Sequence, residues 1–191
     1  MTMYSSQKNT DRFFIITGGP GVGKTTLLQE LQKRHYTCIP EIARQIIKAE
    51  VDTNGDALPW KNKEIYLQKM FDRSVESYLS VNVNNNSLIF FDRGIPDSLT
   101  YAKIIGYKNI EAMENIARQY RYNPHVFYLF PWRDIYETDD ERKQSWEEAV
   151  LTSELNAEIY RRFNYTLIAV PNHSPEKRAD FILEWIGNIK L

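Results

Sequence analysis

Two rhythms of apolar and polar positions alternate along the chain. Short, nearly uninterrupted apolar runs recur at RFFIIT (residues 12–17), TCIP (37–40), LIFFD (88–92), HVFYLF (125–130) and TLIAVP (166–171). Such runs, rich in β-branched and aromatic residues and bounded by turn formers, predict buried strands. Between them apolar residues return every three or four positions, as Leu27, Leu28 and Leu31 do, which predicts amphipathic helices. Helices are expected over KTTLLQELQKR, EIARQIIKAE, Trp60 to Leu79 (opened by Pro59), Asp97 to Ile105, Ile110 to Arg118 and about Asp139 to Phe163. A last one, SPEKRADFILEWIGNI, has Ser174 as N-cap and Pro175 at its first helical position. VDTNGDALP and NVNNNS are polar, turn-rich connections. Strands interleaved with helices predict an α/β fold, a doubly wound and mostly parallel sheet.

Composition narrows the class without changing the fold. At 191 residues, one domain with one hydrophobic core is the default. No repeat, low-complexity tract or linker divides the chain, so a single domain over residues 1–191 is expected, with residues 1–11 as a flexible N-terminus. The 24 basic against 25 acidic side chains leave a formal charge of −1, so no global field draws in nucleic acid or an anionic membrane. Cys38 is the only cysteine, which excludes an internal disulfide and a cysteine-built metal site. His35, His125 and His173 are scattered and suggest no metal triad. The polar N-terminal stretch lacks an apolar leader, and no apolar run approaches a membrane span. A cytoplasmic, reducing setting is expected.

The chemistry starts at ITGGPGVGKTT, where Gly18, Gly23, Lys24 and Thr25 satisfy G-x-x-x-x-G-K-[ST] between a predicted strand and a predicted helix. Glycines let the backbone curl with its N–H groups inward, and the helix N-terminus adds its positive end. Gly19, Pro20, Gly21, Val22, Gly23, Lys24, Thr25 and Thr26 are therefore the expected phosphate cradle. Lys24 reaches the terminal phosphates and the Thr25 hydroxyl ligates Mg²⁺.

Ligands in parallel α/β sheets sit beyond the carboxyl ends of strands. Glu41 follows the second strand, and Asp92 with Arg93 follows the third. Asp92 is placed to lie near Mg²⁺, although a strand-end turn residue reads the same way. Glu41 is equally accounted for by the dipole of the helix it opens. Arg93 suits a phosphate or a polar acceptor, and Asp97 suits either a helix N-cap or a substrate ligand. Farther on, Thr138 and Glu141 form a capping box that explains the acidic cluster around Asp139 and Asp140. Arg142 and Lys143 then fall early on a helix, where the dipole gives a cation nothing. A lid closing an arginine over a transferring phosphoryl group would explain Arg142; a charged solvated face would also do so. Trp60 and Trp132 fit either stacking on an acceptor ring or ordinary core packing. Arg118 and Arg121 fit an anionic acceptor or plain solvation.

The stretches TGGPGVGKTTL, IPEIAR, FFDRGIPDSLTYAKIIGY, PWRDIYETDDERKQSWEEA and VPNHSPEKRADFI together resemble a bacterial family of predicted ATPases with an AAA-type domain. That family is similar to ribosylnicotinamide kinase domains, deoxynucleoside kinases and thymidylate kinases. The resemblance implies the three-layer P-loop NTPase fold of the nucleotide and nucleoside kinase type, with strand order 2-3-1-4-5. It also implies ATP with Mg²⁺ and a lid at about residues 131–145. By the same resemblance Glu41 is the base, Asp92 and Arg93 are the acid–arginine pair, Arg142 belongs to the lid, and VPNHSP borders adenine. Substrate contacts of the deoxynucleoside kinases are not found at matching positions, so a nucleoside acceptor does not follow.

Motor and switch readings fare worse than transfer. A motor calls for a glutamate directly after the third-strand aspartate, where Arg93 stands, and a GTP switch calls for N-K-x-D, whereas the chain has only NKEI. The expectation is an enzyme, a small-molecule kinase working on a nucleoside triphosphate and a hydroxyl acceptor such as a nucleoside. A regulatory nucleotide-binding protein with weak hydrolysis, acting through a protein partner, is the alternative. Oligomeric state stays open, a homodimer included.

Overall fold

The computed structural model describes residues 10–81, 87–136 and 145–189. Its centre is a five-stranded sheet in the order β2-β3-β1-β4-β5, with every pairing parallel. The strands are β1 (Phe13–Gly18), β2 (Thr37–Ile39), β3 (Ile89–Asp92), β4 (His125–Leu129) and β5 (Thr166–Ala169). Among the described residues seven α-helices connect and cover them: α1 (Lys24–Lys33), α2 (Ile42–Asp52), α3 (Lys63–Ser80), α4 (Ile95–Ile104), α5 (Ile110–Gln119), α6 (Trp146–Arg162) and α7 (Pro175–Gly187). The expected α/β class and strand order are both found.

Parallel strands covered on both sides are apolar throughout, and β1 is buried at every position. Its alternate side chains feed two cores. Phe13 and Ile15 pack with Leu67, Phe71, Leu99 and Ile159 from α3, α4 and α6. Phe14 and Ile16 pack with Leu27, Leu31 and Ile182 from α1 and α7. Register sets the functional edge: Ile16 lies opposite Asp92, Gly18 opposite Leu129, and Ile39 opposite Phe91. The residues just past these positions therefore share one rim.

Helix starts differ from expectation: α4 begins at Ile95 and α2 at Ile42, and the larger departures are in α3 and α6. The third helix begins at Lys63, because the Asn62 side chain accepts the Ile65 N–H and caps it there. Trp60 consequently stands in the preceding turn, 64% exposed, and is no core residue. The sixth helix begins at Trp146, capped reciprocally by Ser145 and Glu148. The Thr138–Glu141 box, Asp139, Arg142 and Lys143 lie outside the described residues, as does most of the expected lid.

Candidate active site

β1 ends at Gly18 and α1 begins at Lys24, so Gly19 to Gly23 form the loop between them. Gly18, Gly21 and Gly23 all take positive φ, at 144°, 74° and 82°. At Gly18 a side chain is excluded outright, since a Cβ would lie 2.2 Å from the Leu129 carbonyl oxygen. Gly23 is the N-cap of α1 and brings no side chain to its first turn. That end of the helix faces outward, with Thr25 and Thr26 exposed. Val22 is buried.

Lys24 folds back over the loop. Its ammonium donates to the carbonyls of Gly19 at 2.7 Å and Gly18 at 3.1 Å. Burial, then the nearby Arg93 charge, pulls its pKa below the ordinary lysine value, while Glu41, Asp92 and Asp97 resist.

The rim carboxylates stand in different surroundings. Glu41 is held at both oxygens: Arg93 Nε donates to Oε1 at 2.8 Å, and Arg44 Nε lies 3.2 Å from Oε2. Burial alone would raise its pKa, but Arg93 foremost, with Lys24 and Arg44, brings it down to about 2. Asp92 is shifted upward, by burial first and then by the charge of Glu41. Its Oδ1 is buried with no hydrogen-bond donor among the described residues. A buried anionic oxygen lacking a donor suits a cation.

Arg93 joins these groups. Its φ is 70°, unusual for a residue with a Cβ, and its N–H donates to Ile16 at 3.0 Å. Nη1 donates to the Gly18 carbonyl and to Asp97 Oδ1, each at 3.1 Å. Asp97 is the third residue of α4, so the N-cap reading gives way to Gly94, whose N–H it accepts at 2.8 Å. It also accepts from Thr17 (2.6 Å), Asn156 (3.1 Å) and Tyr160 (2.5 Å). So many protein donors make Asp97 a buried anchor for β1, α4 and α6.

Beside this network a cleft is lined by Ile39, Ile42, Ala43, Met70, Phe91 and Ser74, together with Asp92 and Arg93. The structure thus brings Lys24, Glu41, Asp92 and Arg93 together. Arg118 and Arg121 are elsewhere, stacked on Phe163 and Tyr165 at 4.6 and 4.0 Å, and Arg121 precedes β4 at the opposite end of the sheet.

Several residues escaped the sequence reading. Asn156 and Tyr160 fall on the buried stripe of α6, and Arg178 falls on that of α7 with Ala179, Ile182 and Ile186. A charged residue in register with an apolar stripe was the available signal.

The fold has known counterparts. Deoxyadenosine kinase from M. mycoides, bound to dCMP and dCDP, superimposes at a TM-score of 0.65 with 15% identity, over 93% of this chain and 100% of that one. Shikimate kinase from Acinetobacter baumannii, in complex with shikimate, gives 0.59 at 15% identity over 93% and 95% of the two chains. The NadR protein in complex with NR gives 0.68 at 19% identity, over 95% of this chain, which spans about half (54%) of the NadR chain. At such identities the likeness is one of fold. No curated protein matches the sequence. The match that reaches beyond fold is to the model of an AAA domain; it runs from Phe13, where β1 begins, to Arg178 on α7, and the chain belongs to that family.

Proposed function

We propose that the chain is an ATP-dependent small-molecule kinase that passes the γ-phosphate to a hydroxyl acceptor held in the cleft between β2–α2, α3 and α4. One observation carries this: a largely apolar cleft includes Asp92 and Arg93 in its lining, and these stand on the same rim of the sheet as the Gly19–Gly23 loop. An acceptor in the cleft and a triphosphate on the loop would then meet at that rim. The fold it shares with deoxyadenosine kinase and shikimate kinase supports the same reading.

Lys24 would leave the Gly18 and Gly19 carbonyls for the phosphate oxygens, which offer it full negative charge. The Thr25 hydroxyl and Asp92 would hold Mg²⁺, which when bound neutralises phosphate charge during transfer. Asp92 fits that duty through its donorless Oδ1. Glu41, kept ionised by Arg93, accepts the acceptor's O–H and aims its oxygen at phosphorus. A loose phosphoryl-transfer transition state asks mainly for such positioning. A carboxylate brought down to about 2 is a weak base, so it takes the proton late, as the new P–O bond forms.

ADP release is measured with ATP and Mg²⁺ alone and with a panel of nucleosides and other hydroxyl metabolites. Acceptor-stimulated release that Glu41→Gln lowers by about 10²–10⁴, with Mg²⁺·ATP binding intact, is the expected result. Asp92→Asn should weaken Mg²⁺ dependence as well as rate. Turnover indifferent to every acceptor but stimulated by a protein partner would move the chain to the regulatory class.

A further inference from the structure

We propose that Arg178 is a positioning residue for the phosphate loop, fixing the peptide that presents the Gly23 N–H to the β-phosphate of a nucleotide. The proposal rests on the nucleotide-binding reading above and adds a residue that reading leaves unused. Arg178 sits in the first turn of α7 and is 2% exposed. Both facts are costly for a cation: the helix dipole opposes it there, and burial strips its water.

What offsets the cost is a fork of neutral acceptors. Nη1 donates to the Val22 carbonyl at 2.8 Å, Nε to the Pro171 carbonyl at 3.1 Å, and Nη2 lies 3.5 Å from Asn172 Oδ1. The guanidinium also lies over the Trp132 ring, 4.8 Å from its centroid. One side chain thereby ties the loop to the segment after β4 and the turn before α7.

The Val22 contact bears on phosphate binding through peptide geometry. In a planar trans peptide, the C=O of one residue and the N–H of the next point in opposite directions. Val22 C=O and Gly23 N–H are such a pair. A guanidinium drawing that carbonyl outward turns the Gly23 N–H toward the inner side of the loop. Gly23 permits the approach, since a Cβ there would stand 3.0 Å from Arg178 Nη1. A lysine keeps the charge but lacks the planar fork that spans Val22 and Pro171 together.

The test compares ADP with AMP, both with Mg²⁺, by titration calorimetry on wild type, Arg178→Lys and Arg178→Gln, with nucleotide-free melting recorded beside it. A loop-positioning role predicts about a tenfold loss in ADP affinity, near 1.4 kcal/mol, with AMP affinity unchanged. Equal losses for ADP and AMP, or full ADP affinity in a folded variant, overturn it. If neither variant folds, the wild-type Gly23 amide resonance gives the answer. It should shift with Mg²⁺·ADP and stay put with AMP, and a Gly23 signal indifferent to ADP overturns the proposal. Wild-type protein that binds neither nucleotide fails the kinase reading first, before any variant is made.

Discussion

Replacing Arg93 by methionine tests the electrostatics of the rim. Methionine keeps most of the side-chain length, and like arginine carries a Cβ, but removes the charge that Glu41 and Asp97 share. Glu41 is brought from 4.5 to about 2 in the folded protein, its side chain only 16% exposed. At about 1.36 kcal/mol per pH unit, that drop corresponds to about 3 kcal/mol at neutral pH. Arg93 is the foremost of the groups that lower it. Stranding buried carboxylates typically costs 3–5 kcal/mol, so about 3 kcal/mol is a fair expectation for Arg93→Met. For a chain of this size the melting temperature should fall by roughly 6–12 °C.

The pH dependence distinguishes this mechanism from lost packing. A carboxylate with a depressed folded pKa stabilises above its unfolded value of 4.5, and that stability is lost as pH falls toward 2. Without Arg93, burial pushes Glu41 upward, so the variant loses little from protonation. Urea unfolding at neutral pH and at about pH 3.5 should therefore show the gap between wild type and variant narrowing with acid. A gap below about 1 kcal/mol at neutral pH would make this a surface-type pair. A gap that ignores pH would assign the loss to packing.

Gly18→Ala should lower the urea midpoint by at least about 2 kcal/mol equivalent, because its Cβ meets rigid backbone at Leu129. Gly94→Ala, whose Cβ meets first the movable end of Ile15, should cost less; equal losses would sink the distinction between backbone and side-chain obstruction. Lys24 predicts a proton effect: its pKa lies below the ordinary value, and bound phosphates would raise it again. ATP affinity should then fall as pH rises above neutral, and calorimetry in two buffers of unlike ionisation heat should give different enthalpies. Buffer-independent enthalpy at mildly alkaline pH would count against a partly deprotonated Lys24.

Sheet and loop were legible because their causes are local. A strand buried on both faces must be an apolar run, as FFIITG and IFFD are. A phosphate loop must place glycines, lysine and hydroxyl at fixed offsets. Helix starts were less legible because rival caps compete. Thr138 and Ser145 each have a glutamate three residues on; Ser145 caps the helix at Trp146, and Thr138 lies outside the described residues. The anchor around Asp97 had no local sign. Its donors Thr17, Asn156 and Tyr160 are 80, 59 and 63 positions away, and Arg178 reaches Val22 across 156. Such pairs exist only once both cores have formed.

The strained backbone at Arg93 shows which energy rules the rim. A left-handed conformation in a residue with a Cβ costs on the order of 1–2 kcal/mol, and glycine would remove that cost. Glycine would also remove the guanidinium that bridges Glu41, Asp97 and the Gly18 carbonyl. Arg93 is the foremost of the groups, with Lys24 and Arg44, that together hold Glu41 down by about 3 kcal/mol, and it bonds Asp97 and the Gly18 carbonyl besides, so the guanidinium outweighs the strain. The conformation survives because the arginine must leave the end of β3, satisfy Ile16 through its own N–H, and still reach the carboxylate past β2. Relieving the strain while keeping the charge is open to no standard amino acid, so the sheet edge holds both.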